Sequence, residues 1–329
     1  MRRIAALGAL LALTLSGASQ PGAQPLPEDS QAGPEPLAAA PRPLPEPLPA
    51  RPGAGVEFFY SADSDGTEVS RAAVDLDISN RGPGRRLGVR VERAWYNPGG
   101  AGTVARNRVY LQTEDVLGDW QVRARVGTDG DSVIGSASVN DNSRYRKELF
   151  VERDIVETRQ GLARGIYSTF AGAAIDVPLN DRNVVTALVG LQDFTGDNVR
   201  THLRANYVHV LAPQQGLSAQ LRARYFTNSE PREYDYYSPR WYAEVLPVVQ
   251  MRRFIAGWEA VGAVGLGAQR DSDSDWRTSR YAHARFRSPE RGNWQAHGAV
   301  TYTNTPSLAG SGQSGYSYVQ FLIGASTRF

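Results

Sequence analysis

The 329-residue chain has no cysteine, only two methionines and four histidines, and nearly all of its 36 basic residues are arginine. Without cysteine there are no disulfide staples, thiolate metal sites or cysteine nucleophiles. That absence fits a reducing compartment, or an exported protein that needs no disulfides. Long apolar runs are also missing. After Ile4 to Leu15 no segment approaches the roughly 18 consecutive apolar residues of a helical span. A net charge of +2 gives no polyelectrolyte signature, so no nucleic-acid partner is expected. His202, His209, His283 and His297 are too scattered for a metal site or a Ser/His pair. GAVGLG at Gly262 to Gly267 has the wrong glycine spacing for a dinucleotide loop. The Asp271, Asp273, Asp275 run lacks the Gly and distal Glu of a calcium loop, and reads as solvated acidic surface. No catalytic residue, metal or cofactor is expected, and the chain does not read as an enzyme.

What is present begins with Met1-Arg2-Arg3, the apolar run, and the small residues Ser16, Gly17 and Ala18. This is the pattern of a secretory signal peptide over residues 1–18, because about 12 apolar residues cannot cross roughly 30 Å of hydrocarbon. No cysteine follows, so no lipoprotein anchor is expected, and export then accounts for the missing disulfides. Residues 19–54 are rich in Pro, Ala, Leu and Glu, with PLPEPLP at Pro43 to Pro49. Such composition favours polyproline II, has no apolar face to bury, and reads as a disordered, semi-rigid spacer. Docking of a peptide-binding partner on it is the other reading.

Residues 55–329 repeat one theme: segments of roughly 9–14 alternating residues separated by Gly, Asn, Asp and Pro. Ala72, Val74, Leu76 and Ile78 oppose Arg71, Asp75 and Asp77. Trp120, Val122, Ala124 and Val126 oppose Gln121, Arg123 and Arg125. Leu217, Ala219, Leu221, Ala223 and Tyr225 oppose Gln220, Arg222 and Arg224. The last stretch, YSYVQFLIGASTRF, sets Val319, Phe321, Ile323, Ala325, Thr327 and Phe329 against mostly small or polar residues. The fold expected is all-β, a transmembrane antiparallel barrel. Sixteen strands can be marked, starting near Val56, Thr67, Arg86, Thr103, Asp119, Ser132, Arg144, Leu162, Asn183, Val199, Leu217, Arg240, Phe254, Trp276, Asn293 and Gly315. No clear turn divides the chain near Met251 to Arg253, so 14 stays open, as does a soluble sandwich for the final strand alone. Trp95-Tyr96, Trp120, Trp241-Tyr242, Trp258, Trp276, Tyr281 and Trp294 are expected in aromatic belts at the two bilayer interfaces.

If the apolar faces meet lipid, the opposite faces line a lumen. The expected substrate path is Arg123, Arg125, Arg200, Arg204, Arg222, Arg224, Tyr242, Glu244, Arg285 and Arg287. Arg200, Arg204, Arg222 and Arg224 should form one basic patch. Forked guanidinium donors suit anionic or hydroxyl-rich solutes. The competing reading is that arginines pair with Glu92, Glu244 and Glu259 and brace the wall.

The closing aromatic strand, with Phe321, Ile323 and Phe329, resembles the C-terminal signal of bacterial outer-membrane barrels, which implies the barrel assembly machinery as a partner. FTGDN at Phe194 to Asn198 with Arg200, YYSPRWY at Tyr236 to Tyr242, Arg277 to Arg287 and the terminal TRF are similar to the barrel domain of biofilm exopolysaccharide exporters. These are outer-membrane porins for poly-N-acetylglucosamine and for bacterial cellulose. The resemblance covers about the last 170 residues and implies an outer-membrane location, the lipid bilayer as surroundings and a secreted polysaccharide as cargo. Members of that family carry a helical-repeat domain ahead of the barrel. Here the spacer stands in its place, leaving room for a separate periplasmic helical-repeat partner. A general diffusion porin, or a surface receptor or structural barrel, remains the alternative.

Overall fold

Sixteen strands, each with one apolar and one polar face, can hide every backbone edge only by closing on themselves. The computed structural model, which describes residues 48–329 except 83, 101, 290–292, 311 and 314, shows that closure. The signal peptide and nearly all of the spacer lie outside the described residues. The strands are β1 (Arg51–Asp63), β2 (Glu68–Asn80), β3 (Arg86–Asn97), β4 (Val104–Leu117), β5 (Trp120–Thr128), β6 (Val133–Asp141), β7 (Lys147–Ile155) and β8 (Tyr167–Asn180). They continue with β9 (Asn183–Phe194), β10 (Val199–Ala212), β11 (Leu217–Asn228), β12 (Trp241–Ile255), β13 (Trp258–Asp271), β14 (Arg277–Arg287), β15 (Trp294–Thr303) and β16 (Tyr318–Arg328). Each pairs antiparallel with its sequence neighbours, and β1 meets β16 in continuous register from Gly53↔Arg328 to Asp63↔Tyr318.

The outward stripe is apolar: Val56, Val74, Leu76, Leu111, Leu203, Val264 and Leu266 are all exposed. Each such side chain forfeits about 1.5–3 kcal/mol in water relative to burial, so a band of this extent suits lipid. A closed 16-strand barrel with this exterior is an outer-membrane β-barrel. No described helix is long and apolar enough to cross a membrane, and the strands do the crossing. Short connections, 118–119, 181–182 and 256–257 among them, sit at the end that holds both termini. The longer ones, 156–166, 229–240 and 304–317, sit at the other. The short-turn end is therefore periplasmic and the long-loop end faces outward.

The structure alters several sequence expectations. The strand count is the 16 marked in the sequence, but Met251 to Arg253 lie inside β12 rather than at a joint. The turn follows at Ala256 and Gly257, whose positive φ values of 51° and 84° make the tight hairpin that brings Ile255 opposite Trp258. A strand was expected to begin near Leu162; instead Arg159–Arg164 forms a short helix, α1, and β8 starts at Tyr167. The Thr158 side chain caps it by accepting from the Gly161 N–H, and Gly165 ends it in the left-handed conformation. β7 opens at Lys147 rather than near Arg144. Arg51 to Ala54, assigned by sequence to the spacer, belong to β1.

Three loops carry buried side chains of their own. Val156 and Ile166 from 156–166 and Tyr236 from 229–240 cluster with Phe194, with Tyr234 and Leu308 packed against them. Leu162 joins a second cluster with Phe59, Tyr96, Tyr110 and Leu322, drawn from β1, β3, β4 and β16. The 156–166 loop thus packs inward against the far wall and fills that side of the barrel.

Candidate lumen contact site

Inward-facing residues of β1–β7 and of β8–β14 make two chemically different walls. On the first, guanidinium groups and carboxylates interlock. Arg90 on β3 donates to Glu57 on β1, to Asp75 on β2 at 3.1 Å and to Glu92 at 3.2 Å. Arg108 on β4 has no exposed surface; it donates to Asp154 on β7 at 2.7 Å and to Glu92 at 3.3 Å. Arg71 on β2 donates to Glu157 of the 156–166 loop and lies 3.8 Å from Asp154. Since β2 and β7 are not adjacent, these bonds tie the inward loop to the wall it faces. Arg123 sits 4.0 Å from Glu114, which also accepts from Arg86 at 2.8 Å. The second wall has such a pairing too, near the periplasmic end, where Arg252 and Arg285 share Glu259 at 2.5 and 3.5 Å. Bracing is therefore the role of Glu92 and Glu259.

The second wall is built differently. Arg204 on β10 stands directly across the ladder from Arg224 on β11, with Arg200 opposite Asn228 and Arg222 opposite Asn206. None of these four arginines makes an ion pair among the described residues. They lie on aromatic faces instead. Arg200 is 4.4 Å from the Phe226 ring, Arg224 4.8 Å from Tyr242, Arg222 4.8 Å from Tyr281 and Arg204 5.7 Å from Phe170. Contacts of this kind contribute about 0.5–2 kcal/mol each, more as water is excluded. Arg200 also donates to Asn228 Oδ1 at 2.8 Å and to the Tyr237 carbonyl, and Arg222 to Gln220 Oε1 at 2.9 Å. Glu244, directly opposite Arg224, is taken by hydroxyls rather than by an arginine. It accepts from Ser279 at 2.5 Å and from Thr305 at 2.7 Å.

The rings form a continuous row around the lumen. Centroid separations are 5.1 Å for Phe150–Phe170, 4.7 Å for Phe170–His202, 5.7 Å for His202–Phe226 and 5.0 Å for the stacked Phe226–Tyr242 pair. Glycine makes room for it. A Cβ on Gly172 would come 2.5 Å from the Phe150 ring, and one on Gly190 2.5 Å from Phe170. Each ring thus lies over a neighbouring strand where no side chain stands. The space in front of the row is lined by Arg200, Arg204 and Arg224, by Glu152 and Asp154 of β7, and by Tyr237, Pro306 and Leu308 from the loops.

The expected path residues therefore divide. Arg200, Arg204, Arg222, Arg224, Tyr242 and Glu244 come together on β10–β12. Arg125 is buried on β5, 5.9 Å from Tyr110, on the braced wall with Arg123. Arg285 and Arg287 stand at the periplasmic end of β14, Arg287 across from Glu259. The expected basic patch is a column along two strands, in which Arg222 reaches the Tyr281 ring. Three aromatics expected in the bilayer belts face inward: Tyr96 and Tyr242, the latter also expected on the lumen path, are wholly buried, and Tyr281 meets His283 in the lumen at 6.3 Å. Trp258 and Trp294 do pair on the outer face, 5.9 Å apart. Sequence reading missed Phe150, Phe170, Phe226 and Arg108, although each shares the parity of inward charges on its own strand. Phe321 and Ile323 face lipid and Phe329 is exposed at the chain end, its N–H donating to the Pro52 carbonyl at 2.9 Å. Asp271 and Asp273 are paired with Arg277 and Arg232, and the described residues contain no cluster of three metal-ligand side chains.

No family model matches the chain, and no curated protein matches its sequence. Among solved structures it is similar to a bacterial polysaccharide outer membrane secretin, 14% identical over 85% of this chain and 98% of that one, with a TM-score of 0.63. OccK5 (OpdH) of Pseudomonas aeruginosa is 7% identical over 85% and 98%, at a TM-score of 0.43. An anion-selective porin from Comamonas acidovorans is 11% identical over 85% and 99%, at 0.38. The first likeness is one of fold, and the other two carry no further weight.

Proposed function

We propose that this barrel is an outer-membrane channel through which a secreted polysaccharide leaves the cell. The observation that carries the reading is the row of rings and guanidinium groups on β8–β12. Aromatic faces stack on the apolar faces of sugar rings, and guanidinium forks donate to sugar oxygens. A succession of weak contacts lets a polymer advance without being trapped. The polysaccharide secretin named above supports the reading as an analogy of fold. In this reading the barrel works without a cofactor and is inserted into the bilayer by the barrel assembly machinery. It takes its polymer from a periplasmic helical-repeat partner. The braced wall facing an arginine wall also favours a second reading, a general diffusion porin whose lumen is crossed by a transverse field.

Single-channel recording in planar bilayers separates the two. An export channel should show discrete current blocks from added oligosaccharides, with dwell times that lengthen from disaccharide to hexasaccharide. A diffusion porin should pass small solutes with no dependence of dwell time on chain length.

A further inference from the structure

Elsewhere in the described lumen most buried arginines are matched with acids, Arg90 with three carboxylates, Arg108 with two, and Arg252 and Arg285 with Glu259, although Arg125 rests on Tyr110. Arg200, Arg204 and Arg224 break that habit. Arg200 and Arg204 are nearly inaccessible, at 5% and 8% exposure, and Arg204 faces Arg224 across the ladder. Like charges directly opposite each other on two strands are destabilising, and a buried charge without a counter-charge costs more still. The two side chains lean apart, Arg204 toward Phe170 on β8 and Arg224 toward Tyr242 on β12. Between them lies the cavity floored by His202 and Phe226. Arg204 Nε, Arg224 Nε and His202 Nδ1 are all buried there with no hydrogen-bond partner. Glu244, the one carboxylate in register with Arg224, is occupied by two hydroxyl donors. Two carboxylates of β7, Glu152 and Asp154, also line the opening, but Asp154 is held by Arg108 and neither forms an ion pair with Arg200, Arg204 or Arg224, whose charges rest on aromatic rings.

We propose that Arg200, Arg204 and Arg224, with the Phe170–His202–Phe226 floor, are a binding subsite for the acidic group of a sugar unit, so that the polymer carried is a polyanionic glycan. This rests on the polysaccharide reading above and narrows it. The carboxylate enters the slot between Arg204 and Arg224, each offering a fork of donors. The pyranose ring lies on Phe226 or Phe170. A neutral glycan would gain the stacking but leave the guanidinium charges unmatched, and an amino-sugar polymer would meet like charge. Arg200, about 14 Å along the same strand from Arg204 at about 3.4 Å per residue, is placed to take a second acid farther along the chain.

The test uses the full-length protein in planar bilayers at 0.1 M salt with four added probes: hexagalacturonate, maltohexaose, the glucosamine hexamer and inorganic phosphate. Hexagalacturonate should block at least tenfold more strongly than maltohexaose, and the glucosamine hexamer least. The Arg204→Gln/Arg224→Gln variant should lose at least tenfold of the uronate block while keeping the maltohexaose block. Arg253→Gln, on the lipid side of β12, should change neither. Raising salt to 1 M should weaken the uronate block selectively, as the Debye length falls from about 10 to about 3 Å. Equal block by maltohexaose and hexagalacturonate, or uronate block that survives in the double variant, overturns the subsite while leaving a glycan channel standing. If no hexamer blocks and phosphate competes with chloride current, the glycan reading itself fails together with the subsite.

Discussion

Arg90 shows what a single residue contributes on the braced wall. Its guanidinium holds together Glu57, Asp75 and Glu92 from three neighbouring strands, and its side chain is 4% exposed. Arg90→Gln takes the shared guanidinium from Glu57 and Asp75 and leaves Glu92 to Arg108. Breaking a buried pair by removing one partner costs about 3–5 kcal/mol; water in the lumen should hold the effect near the lower figure. The temperature at which the barrel loses its folded gel mobility should drop markedly, and Glu57→Gln in the same chain should restore part of it by removing one of the crowded carboxylates. An equal deficit with and without Glu57→Gln contradicts this account. Gly190 plays the opposite part on the aromatic wall, by absence. Its Cβ in Gly190→Ala would meet Phe170 at 2.5 Å and the Ala171 carbonyl at 3.0 Å, so the ring must shift, at about 1–3 kcal/mol. Phe170→Ala in the same chain should relieve that penalty. Full additivity of the two substitutions in thermal midpoint would show that the ring does not rest on the glycine.

Among the elements, the 156–166 loop is poised to respond to pH. Burial pushes the Glu157 carboxyl up to about 7 from its ordinary 4.5, with Arg71 pulling the other way and Asp154 adding to the rise. Arg108, Tyr96 and Tyr318 are further ionisable groups that interact with it. A carboxyl that binds its proton more tightly when docked than when free favours docking in acid. That advantage is complete below about pH 4.5 and is lost as pH rises to about 7. At 1.36 kcal/mol per unit the swing is about 3 kcal/mol. The loop should therefore undock more often at pH 8 than at pH 5, read as slow open–closed fluctuation of single-channel current. Glu157→Gln should abolish the dependence, whereas more fluctuation at pH 5 than at pH 8 contradicts it. This loop was also where the sequence misled. α1 is framed by Thr158 and Gly165, a capping residue and a left-handed stop, but its six residues are too few to show helical periodicity against a chain of alternating strands. The turn at Ala256–Gly257 was missed because alanine stands where Asn or Asp would announce a two-residue hairpin. Strand order, inward arginines and lipid-facing stripes were legible because alternation is what a two-faced wall requires of every strand. Residue type alone could not place the aromatics, since tyrosine suits both belt and lumen. Tyr242, beside Glu244, had a place in both the belt and the lumen path, and parity with Arg285 would have sent Tyr281 inside as well.

At the scale of the whole molecule, closure depends on two strands from opposite ends of the chain. β1 and β16 pair along their full length, and no described edge is covered until they do. Contacts so distant in sequence form late, because loop-closure entropy must be overcome first. The final strand is thus the natural place for an outside agent to act. Phe321 and Ile323 sit on its lipid face at 40% and 43% exposure, whereas Phe329 projects at 63% beyond the strand at the periplasmic rim. These positions separate stability from assembly. A charge placed on the lipid face is costly in the middle of the bilayer and falls to about 0–1 kcal/mol near the interface. Ile323→Asp should therefore lower both the yield of assembled barrel and the thermal midpoint of what does assemble. Phe329→Asp removes little packing, so the barrel that forms should melt normally. Its yield should nevertheless fall, with degraded protein accumulating, if the terminal aromatic is the handle the assembly machinery grips. Heat-modifiable gel mobility of membrane fractions reports both quantities at once. Unchanged yield in Phe329→Asp would show that the terminal aromatic is no such handle. A fall in its melting temperature to match Ile323→Asp would show that the residue serves packing instead.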